Sequence, residues 1–410
     1  MDATPPKPPR DRAGLHISTG PLLALLMAMT AIGPLSLNIL VPATPGLAAT
    51  LNTDPATVQL TVSLYLLGLA LSQLALGPLS DRFGRRPVVI GGLLLVVVAS
   101  FTALAVNNIG GLIVARAFQA LGASTGIVIG RAIIRDLYDR ERAASMIGWV
   151  TTAMVVAPMV APLIGGLLDT TFGWETTFVF VGVYALLILI WAVFRLPETR
   201  PDHVTGGGIG YLFGEARALL QTRAFNAYMI AATLGSATFF AFLGASPHVV
   251  IELMGESSAS YGAWFILAAF GYMSGNFLAA KFSPRFGIDR MIRAGLCVEL
   301  FGAVLGILLV WLFPLGGPAT LFPAQYFVSC GNGIMLPNAL AGAVSVRPQA
   351  AGTASGIAGC VQMATGALAA QVTSWIAAAS ATAMPMSVTI LVVGIAAMGS
   401  YLLLMRKADD

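Results

Sequence analysis

Two ionisable residues lie deep inside long apolar stretches of this sequence. Arg116 lies six residues after Gly110, where one stretch begins, and Glu299 lies eight residues after Met291, where another begins. If these stretches cross a membrane, each charge costs at least about 2.5 kcal/mol on insertion scales, so it should face a bundle interior or a wet cavity. Burial favours the neutral form of a carboxyl group, so Glu299 could load and release a proton. Two alternatives are open: Arg116 reaches the nearby membrane surface, and Glu299 is a structural acid hydrogen-bonded to a neighbouring helix.

The remaining reactive side chains form no catalytic or metal-binding pattern. Three histidines and three cysteines are scattered without zinc-ligand spacing. The sequence also lacks a convergent nucleophile–base set and a nucleotide-binding loop. We therefore expect no enzyme, no metal site and no cofactor. The net charge of +4 would suit nucleic acid. However, the Lys and Arg residues cluster in the tails and in loops on one side, so we expect no nucleic-acid partner.

The composition indicates an integral membrane protein. Hydrophobic residues make up 57% of the 410 residues and charged residues only 10%, whereas soluble domains carry about 25% charged residues. An apolar helix of about 20 residues covers the hydrocarbon core of a bilayer. The sequence predicts an all-α fold with twelve transmembrane helices, at residues 20–41, 58–76, 88–106, 110–135, 143–168, 176–195, 224–244, 259–280, 291–313, 319–342, 352–377 and 383–405.

The charged loops predict the orientation of these helices. Short loops rich in Lys and Arg collect on the cytoplasmic side of a membrane. Both chain ends are therefore expected in the cytoplasm, with tails at 1–19 and 406–410, and the protein in a bacterial inner membrane. Residues 197–223 should form a cytoplasmic linker that is flexible at 206–208, three glycines, and contains a short interfacial helix at 211–220.

One charged segment between spans recurs in the second half of the chain. LSDRFG at 79–84 is echoed 203 residues later by FSPRFG at 282–287. A half-length repeat with the same loop at the same membrane depth is typical of transporters built from two parallel halves. The predicted halves are residues 20–196 and 224–405, with a substrate cavity at the midplane between them.

Residues 77–87, which contain the first copy, resemble the motif A loop of the major facilitator superfamily. The resemblance implies that Asp81 caps the start of the eleventh helix near Gly352, where a carboxylate would interact favourably with the helix dipole. It also implies that Arg85 pairs with Asp136 to form a latch of the outward-facing state.

Residues 116–122 resemble motif B of the same superfamily, whose arginine is tied to proton coupling. Gln325 and Gly331 repeat the spacing of Arg116 and Gly122, with a neutral residue in place of the charge. If the two halves have equivalent shapes, this difference in charge is functional. Two other arginines further along the same helix, Arg131 and Arg135, are expected to anchor to lipid headgroups.

Pro158, Pro162, Gly165 and Gly166 lie in a segment that resembles motif C, which is found among exporters of the superfamily. Prolines free backbone carbonyls and bend a helix, and paired glycines permit the close approach of a neighbour. The segment therefore suits a hinge or a seal against leak, and ordinary small-residue packing is the alternative.

The overall pattern is most similar to drug:proton antiporters of the bicyclomycin/chloramphenicol-resistance type. QLTVSLY at 59–65 and RAIIRDLY at 131–138 carry this resemblance together with the motif C segment. In that family the first helix usually carries an acidic residue where this chain has Asn38. Because asparagine cannot titrate, the coupling proton is expected at Glu299, or at Asp136 or Asp169 near helix ends.

The candidate substrate contacts are apolar, aromatic or neutral polar side chains on several predicted helices. Asn38 shares one helix face with residues four and eight positions earlier, and methionine or aromatic walls suit apolar ligands. The polar members could equally be contacts that hold helices together. The set is Pro34, Asn38, Arg116, Met154, Phe239, Phe240 and Gln325.

We therefore expect a monomeric exporter of small, partly apolar molecules such as antibiotics, in exchange for protons. Its partners would be a small-molecule substrate, protons and the lipid bilayer, and the two halves would rock about one central site. The alternatives are an exporter of a metabolite or a sugar, or a facilitator without proton coupling, which the missing acid on the first helix favours.

Overall fold

Helices make up the regular structure of residues 19–200, 209–347 and 350–409, which the computed structural model describes. Short 3₁₀ turns at Val41–Ala43 and Gly317–Thr320 and a π-helix at His248–Leu253 supplement them. The all-α prediction is confirmed. The α-helices are α1 Thr19–Ile39, α2 Thr44–Thr50, α3 Pro55–Phe83, α4 Arg85–Leu104, α5 Ile109–Leu137, α6 Arg140–Phe172, α7 Glu175–Arg195, α8 Ile209–Leu220, α9 Arg223–Pro247, α10 Ser258–Phe286, α11 Ile288–Leu312, α12 Phe322–Ser345, α13 Ala351–Ala378 and α14 Met384–Asp409.

Eleven of the helices in the described ranges are long and apolar enough to cross a membrane. They correspond to eleven of the predicted spans. The remaining predicted span is α13, which has 28 residues and is rich in alanine and glycine. At 1.5 Å per residue its length is sufficient, and its small residues lower its hydropathy. Together they make the predicted twelve-helix fold.

The repeated charged segment is not the loop that the sequence predicted. Residues 77–87 are helical except at Gly84, because α3 continues to Phe83 and α4 begins at Arg85. Gly84 has φ 101°, and Gly287, the junction of α10 and α11, has φ 80°. Only glycine adopts such angles without strain, so one residue suffices to reverse the chain.

The segments predicted outside the spans are described in part. Residues 1–18 and the glycines at 206–208 lie outside the described residues. The short helix expected at 211–220 is α8, which begins at Ile209. The expected tail at 406–410 is helical up to Asp409, because these residues contain no glycine or proline to end α14.

The spanning helices pack as two sets. The N-terminal set consists of α1 and α3–α7, the C-terminal set consists of α9–α14, and they meet where α3 packs on α13 and α6 on α10. We call the end of the bundle at Gly84 and Gly287 the arginine-rich end and the opposite end, at Gly173 and Gly255, the arginine-poor end.

Each set contains the same close helix crossing. Gly122 of α5 lies against the carbonyl oxygen of Gly92 in α4, and Gly331 of α12 lies against that of Gly295 in α11. A methyl group on Gly122 or Gly331 would overlap the facing oxygen. Gly295 follows Gly92 by 203 residues, the offset of the repeated charged segment, so the repeat extends to the packing.

Gly331→Ala should destabilise the protein, because its methyl group has no space at the α11–α12 crossing. Overpacking of this kind costs about 1–3 kcal/mol. Gly91→Ala is the matched control, since a Cβ at this helical position in α4 has no heavy atom within 4 Å. Thermal unfolding in detergent should show a lower midpoint for Gly331→Ala and an unchanged or higher one for Gly91→Ala. Equal midpoints would contradict the close crossing.

Candidate functional site

Arg116 lies inside the N-terminal set with 1% of its surface exposed. Its Nη1 donates to the Ser36 carbonyl at 2.9 Å and to Gln119 Oε1, and its Nε donates to the Thr61 carbonyl at 3.4 Å. The guanidinium lies 4.1 Å from the ring centroid of Tyr65. None of the ion pairs among the described residues includes it, so carbonyl dipoles and a π face stabilise the charge. The alternative that Arg116 reaches the membrane surface is wrong.

Asn38 lies near the end of α1 and is 2% exposed. Its Nδ2 donates to the carbonyl of Pro34 at 2.8 Å, within the same helix. Its Oδ1 is buried and has no hydrogen-bond partner among the described residues. A buried acceptor without a donor is costly, so this oxygen can receive a hydrogen bond from a bound molecule.

Gln325 was expected to contact substrate between the two sets, but it lies inside the C-terminal set. It is 2% exposed, donates to Ser329 Oγ at 3.3 Å, and borders a cavity of about 20 Å³. The residues that line this cavity all belong to α9, α11, α12, α14 and the residue before α12. The face of α12 that carries Gln325 is therefore directed into the C-terminal set. The repeat therefore gives Gln325 a buried place like that of Arg116, without the charge.

The two adjacent phenylalanines of α9 pack in different directions. Phe240 is 6% exposed and its ring lies where a side chain on Gly366 of α13 would be. Phe239 is partly buried, 5.7 Å from the Phe240 ring centroid and 6.3 Å from that of Phe265 in α10. They form an aromatic wall against α10 and α13, the two helices of this set that pack most extensively on the N-terminal set.

Glu299 is buried at the centre of the C-terminal set, where α11 crosses α12. Its side chain is 1% exposed, and Oε1 lies 2.8 Å from the hydroxyl of Thr238 in α9. Oε2 is buried without a hydrogen-bond partner among the described residues. In the other set the corresponding position, 203 residues earlier, is Val96, which packs on Gly122 as Glu299 packs on Gly331. An acid thus replaces an apolar side chain in the same packing position.

The predicted latch residues meet at the start of α4. Arg85 is paired with Asp81 at 2.5 Å and with Asp136 at 3.0 Å. Asp81 was expected to cap the start of α13 near Gly352, but it does not. Its side chain is 40% exposed, and α13 begins without a side-chain cap. The Arg85–Asp136 pair joins residues of one set, so it does not itself depend on how the two sets are arranged. Its role as a latch stays a prediction.

Glu198 was missed by the sequence reading. Its Oε1 accepts from the backbone amides of Arg85, Thr199 and Arg200 at 2.9–3.0 Å, and Oε2 accepts from that of Arg86 at 3.2 Å. Desolvation alone would raise the pKa of Glu198, but these amide donors outweigh it and lower the pKa below its ordinary value of 4.5. The available signal was an acid directly after a span at the end where basic residues dominate.

The motif C segment lies where α6 touches both neighbours. Gly165 is packed on the carbonyl of Ile39 in the N-terminal set, and Gly166 on the carbonyl of Ser258 in α10 of the C-terminal set. The carbonyl of Pro162 lies against Gly262 of α10, and a side chain at any of these glycines would overlap backbone atoms. Pro158 lies one turn earlier in the same helix. The glycines bring α6 and α10 into backbone contact near the arginine-poor end.

Hydrogen bonds also join the sets at that same end. The Ala259 amide donates to Thr170 Oγ1 at 3.1 Å, and Gln371 Nε2 donates to the Ala56 carbonyl at 2.8 Å. At the other end of α13, a Cβ on Gly352 or Gly356 would have no described heavy atom within 4 Å. The two sets are therefore in close contact at the arginine-poor end, whereas α13 has open space beside its first turns at the arginine-rich end.

The sequence profile of the Major Facilitator Superfamily matches residues 26–370. The chain belongs to the major facilitator superfamily. The resemblance inferred from the motifs is confirmed, and so is the twelve-helix fold. The superfamily consists of membrane transporters for small molecules, so at the family level this is a multi-pass transporter rather than an enzyme.

Several relatives of this major facilitator protein are resistance proteins. Multidrug resistance protein D of Escherichia coli is 32% identical over 347 residues, which cover 83% of this chain and 85% of that protein. The bicyclomycin resistance protein homolog of Haemophilus influenzae is 26% identical, covering 86% and 88%. The chloramphenicol resistance protein of Pseudomonas aeruginosa is 29% identical, covering 82% and 80%.

A solved structure shares the fold of this major facilitator protein at low sequence identity. A bacterial homolog of the human lysosomal transporter Spinster superposes with a TM-score of 0.74 at 18% identity, covering 95% of this chain and 98% of that one. This likeness concerns the fold alone.

Glu198→Gln should lower the thermal stability of the protein at pH 7. It should also make the fall in thermal stability between pH 7 and pH 4 smaller. A neutral amide oxygen accepts hydrogen bonds about half as strongly as a carboxylate. Because the folded-state pKa of Glu198 is lowered, its stabilising effect is fully present above pH 4.5 and is lost as the pH falls below that value. Unfolding midpoints in detergent at pH 7 and pH 4 measure both effects. The control is Glu175→Gln, which replaces an exposed acid at the start of α7; equal behaviour of the two variants would contradict the role of Glu198.

Proposed function

We propose that this protein exports small, partly apolar compounds, including antibiotics, in exchange for protons. The observation that carries the proposal is the acid Glu299, which is buried without a counter-charge among the described ion pairs, where the other half of the repeat has a valine. The resistance proteins among the relatives support the substrate class. The chain would act in a bacterial inner membrane, as a carrier and not as an enzyme.

The hydrogen bonds around Glu299 favour its protonated form in this state. Thr238 Oγ1 lies 2.7 Å from the Gly235 carbonyl and 2.8 Å from Glu299 Oε1, and a hydroxyl group has only one proton to donate. If Glu299 is protonated, it donates to Thr238, which in turn donates to Gly235, and every contact is satisfied. If Glu299 is ionised, one acceptor loses its donor and a charge is left buried without a partner.

The proton site is connected to the helices that must move. The Gly235 carbonyl also accepts from Asn332 Nδ2 of α12 at 2.7 Å, and Gln362 Nε2 of α13 donates to Ser236 Oγ, next to Gly235, at 2.6 Å. Loss of the proton from Glu299 would therefore disturb α9, α11 and α12 together. Since α9 holds α13, which contacts the N-terminal set, protonation can bias the arrangement of the two sets.

Transport would proceed by rocking of residues 20–196 against 224–405. The arginine content of the loops supports a cytoplasmic location for the arginine-rich end and for both termini. The present structure would then be closed towards the periplasm, and the similar bacterial Spinster homolog was solved in an inward-facing conformation. In the opposite state Asp81 would approach the start of α13, and the α6–α10 contact at Gly166 would open.

The substrate would bind between the aromatic wall of α9 and the N-terminal set. Phe239, Phe240 and Met154 supply apolar and soft surfaces, and the free Oδ1 of Asn38 supplies an acceptor. Arg116 would act from behind this surface. It holds the carbonyls of Ser36 in α1 and Thr61 in α3 in place, so its part in coupling would be to position these helices.

A facilitator or a metabolite exporter without proton coupling is the second candidate. The specific observation in its favour is Asn38, which leaves the first helix without the usual acid. Under this alternative Glu299 would only join α9 to α11.

Glu299→Gln should abolish substrate-dependent proton movement while leaving folding and substrate binding intact. Glutamine retains a donor for Thr238 but cannot release a proton. Drug-dependent proton release is measured in proteoliposomes, and Glu175→Gln is the control for the loss of one acid. Proton release by the variant at the parental rate would contradict the role of Glu299. Substrate transport by the parent without proton flux would establish the second candidate instead.

A disulfide between α6 and α10 should arrest transport. In a chain whose three native cysteines are replaced, Thr170→Cys and Ala259→Cys place two thiols where the residues now share a hydrogen bond. Oxidation should cross-link the two cysteines and stop substrate transport. Reduction should restore transport. The two single variants under the same oxidant are the controls. Full transport by the cross-linked protein would contradict opening at this seam.

A further inference from the structure

Arg131 is a second membrane-embedded arginine, and its surroundings differ from those expected of a headgroup anchor. Its Nη2 donates to the sulfur of Met154 in α6 at 3.6 Å, and its Nε is buried with no hydrogen-bond partner among the described residues. Asp136, the acid nearest to it in α5, pairs with Arg85 instead. A thioether is a weak acceptor, so the guanidinium has unused hydrogen-bonding capacity.

The contact with Met154 places this guanidinium far from the headgroups. Met154 lies 14 residues after Arg140, where α6 begins, and 18 residues before Phe172, where it ends. It is therefore close to the middle of a helix that is long enough to cross the bilayer. The side chain of a helical residue leans towards the helix N-terminus, and for Arg131 that direction is away from the arginine-rich end. The expectation that Arg131 anchors to lipid headgroups is therefore wrong.

Arg131 also lies on the inner side of its helix. Gly122 packs on α4, and Arg131 follows nine residues later, about two and a half turns, so it lies on the opposite side of α5. The N-terminal set meets the other set through α3 and α6, whereas α4 packs on α5 and α7. The side of α5 that faces away from α4, towards Met154, is thus the side nearer the centre of the bundle.

The described carboxylates do not offer a matching site for a cation. Glu299 is buried against Thr238 with 1% of its surface exposed. The other acids in the described ranges lie at or near helix ends, in loops or in the short helix α8. A charged group near the midplane is normally paired or faces a wet cavity, and Arg131 has no acidic partner among the described ion pairs. The positive charge at this depth is left for the substrate to neutralise.

We infer that Arg131 and Met154 form a substrate subsite that binds a carboxylate or an oxygen acceptor of similar strength, attached to an apolar body. The Arg131 guanidinium would donate hydrogen bonds to the oxygen acceptor of the substrate, and Met154 would contact the adjoining apolar group. The inference rests on the proposed function and narrows it: the exported compounds are acidic or acceptor-rich, and lipophilic cations of the same size are disfavoured. Charged hydrogen bonds of this kind contribute about 1.5–3 kcal/mol, which corresponds to roughly tenfold or more in affinity.

Two dansyl probes with the same fluorophore test this subsite. One carries a carboxylate tail and the other an amine tail, and their binding to the purified protein is measured by the fluorescence increase of the dansyl group. The parent should bind the carboxylate probe at least about tenfold more tightly. Arg131→Gln should lose this preference, and Arg131→Lys should retain part of it, because lysine keeps the charge but not the planar fork.

Arg135→Gln is the matched control, because it removes an arginine from the same helix at an exposed position one turn nearer the arginine-rich end. It should leave the preference unchanged. An equal loss in Arg135→Gln would overturn the inference, since a general surface potential or a lipid headgroup would then explain the binding. Equal binding of both probes by the parent, or tighter binding of the amine, would also overturn it. The proposed export would be contradicted by a different result, the absence of any drug-dependent proton or substrate movement by the parent in proteoliposomes.

Discussion

A charge buried among apolar helices must find compensation, and this constraint governs the interior of the protein. Arg116 is compensated by carbonyl oxygens of two helices and the ring of Tyr65, so it joins α1, α3 and α5. Glu299 has a shared hydroxyl and no cation in any ion pair of the described ranges, so its neutral form fits its surroundings. The two halves of the repeat thus solve the problem differently: carbonyl oxygens and a ring compensate the charge in one set, and the other set surrounds an acid with contacts that suit its neutral form.

Small residues decide where the sets can touch. Gly165 and Gly166 let α6 approach α1 and α10 until backbone atoms are in contact, and Gly262 does the same from the other side. Such contacts are made by main-chain atoms with fixed positions, so they are either fully formed or absent. A seam of this kind supports two discrete arrangements better than a gradual opening, which is what alternating access needs.

The sequence predicted the fold because apolar length and loop charge are properties of the chain alone. It did not predict which way a buried polar residue faces, because that depends on the helices around it. Gln325 was expected at the interface and lies inside one set, and Arg131 was expected at the headgroups and reaches Met154. The segment at 77–87 was taken for a loop because its charges and Gly77-Pro78 suggested one, whereas tertiary packing keeps it helical up to Phe83.

Glu198 holds the start of α4 by accepting from the main-chain amides of Arg85 and Arg86. Every residue except proline offers such an amide, so the side chains at these two positions can vary without loosening the contact. Aligned relatives would then show no correlated substitution between position 198 and its partners, even though they touch. A contact between a side chain and a backbone amide produces no covariation signal. The junction between Glu198 and the start of α4 could therefore not be found by covariation, however many sequences were aligned.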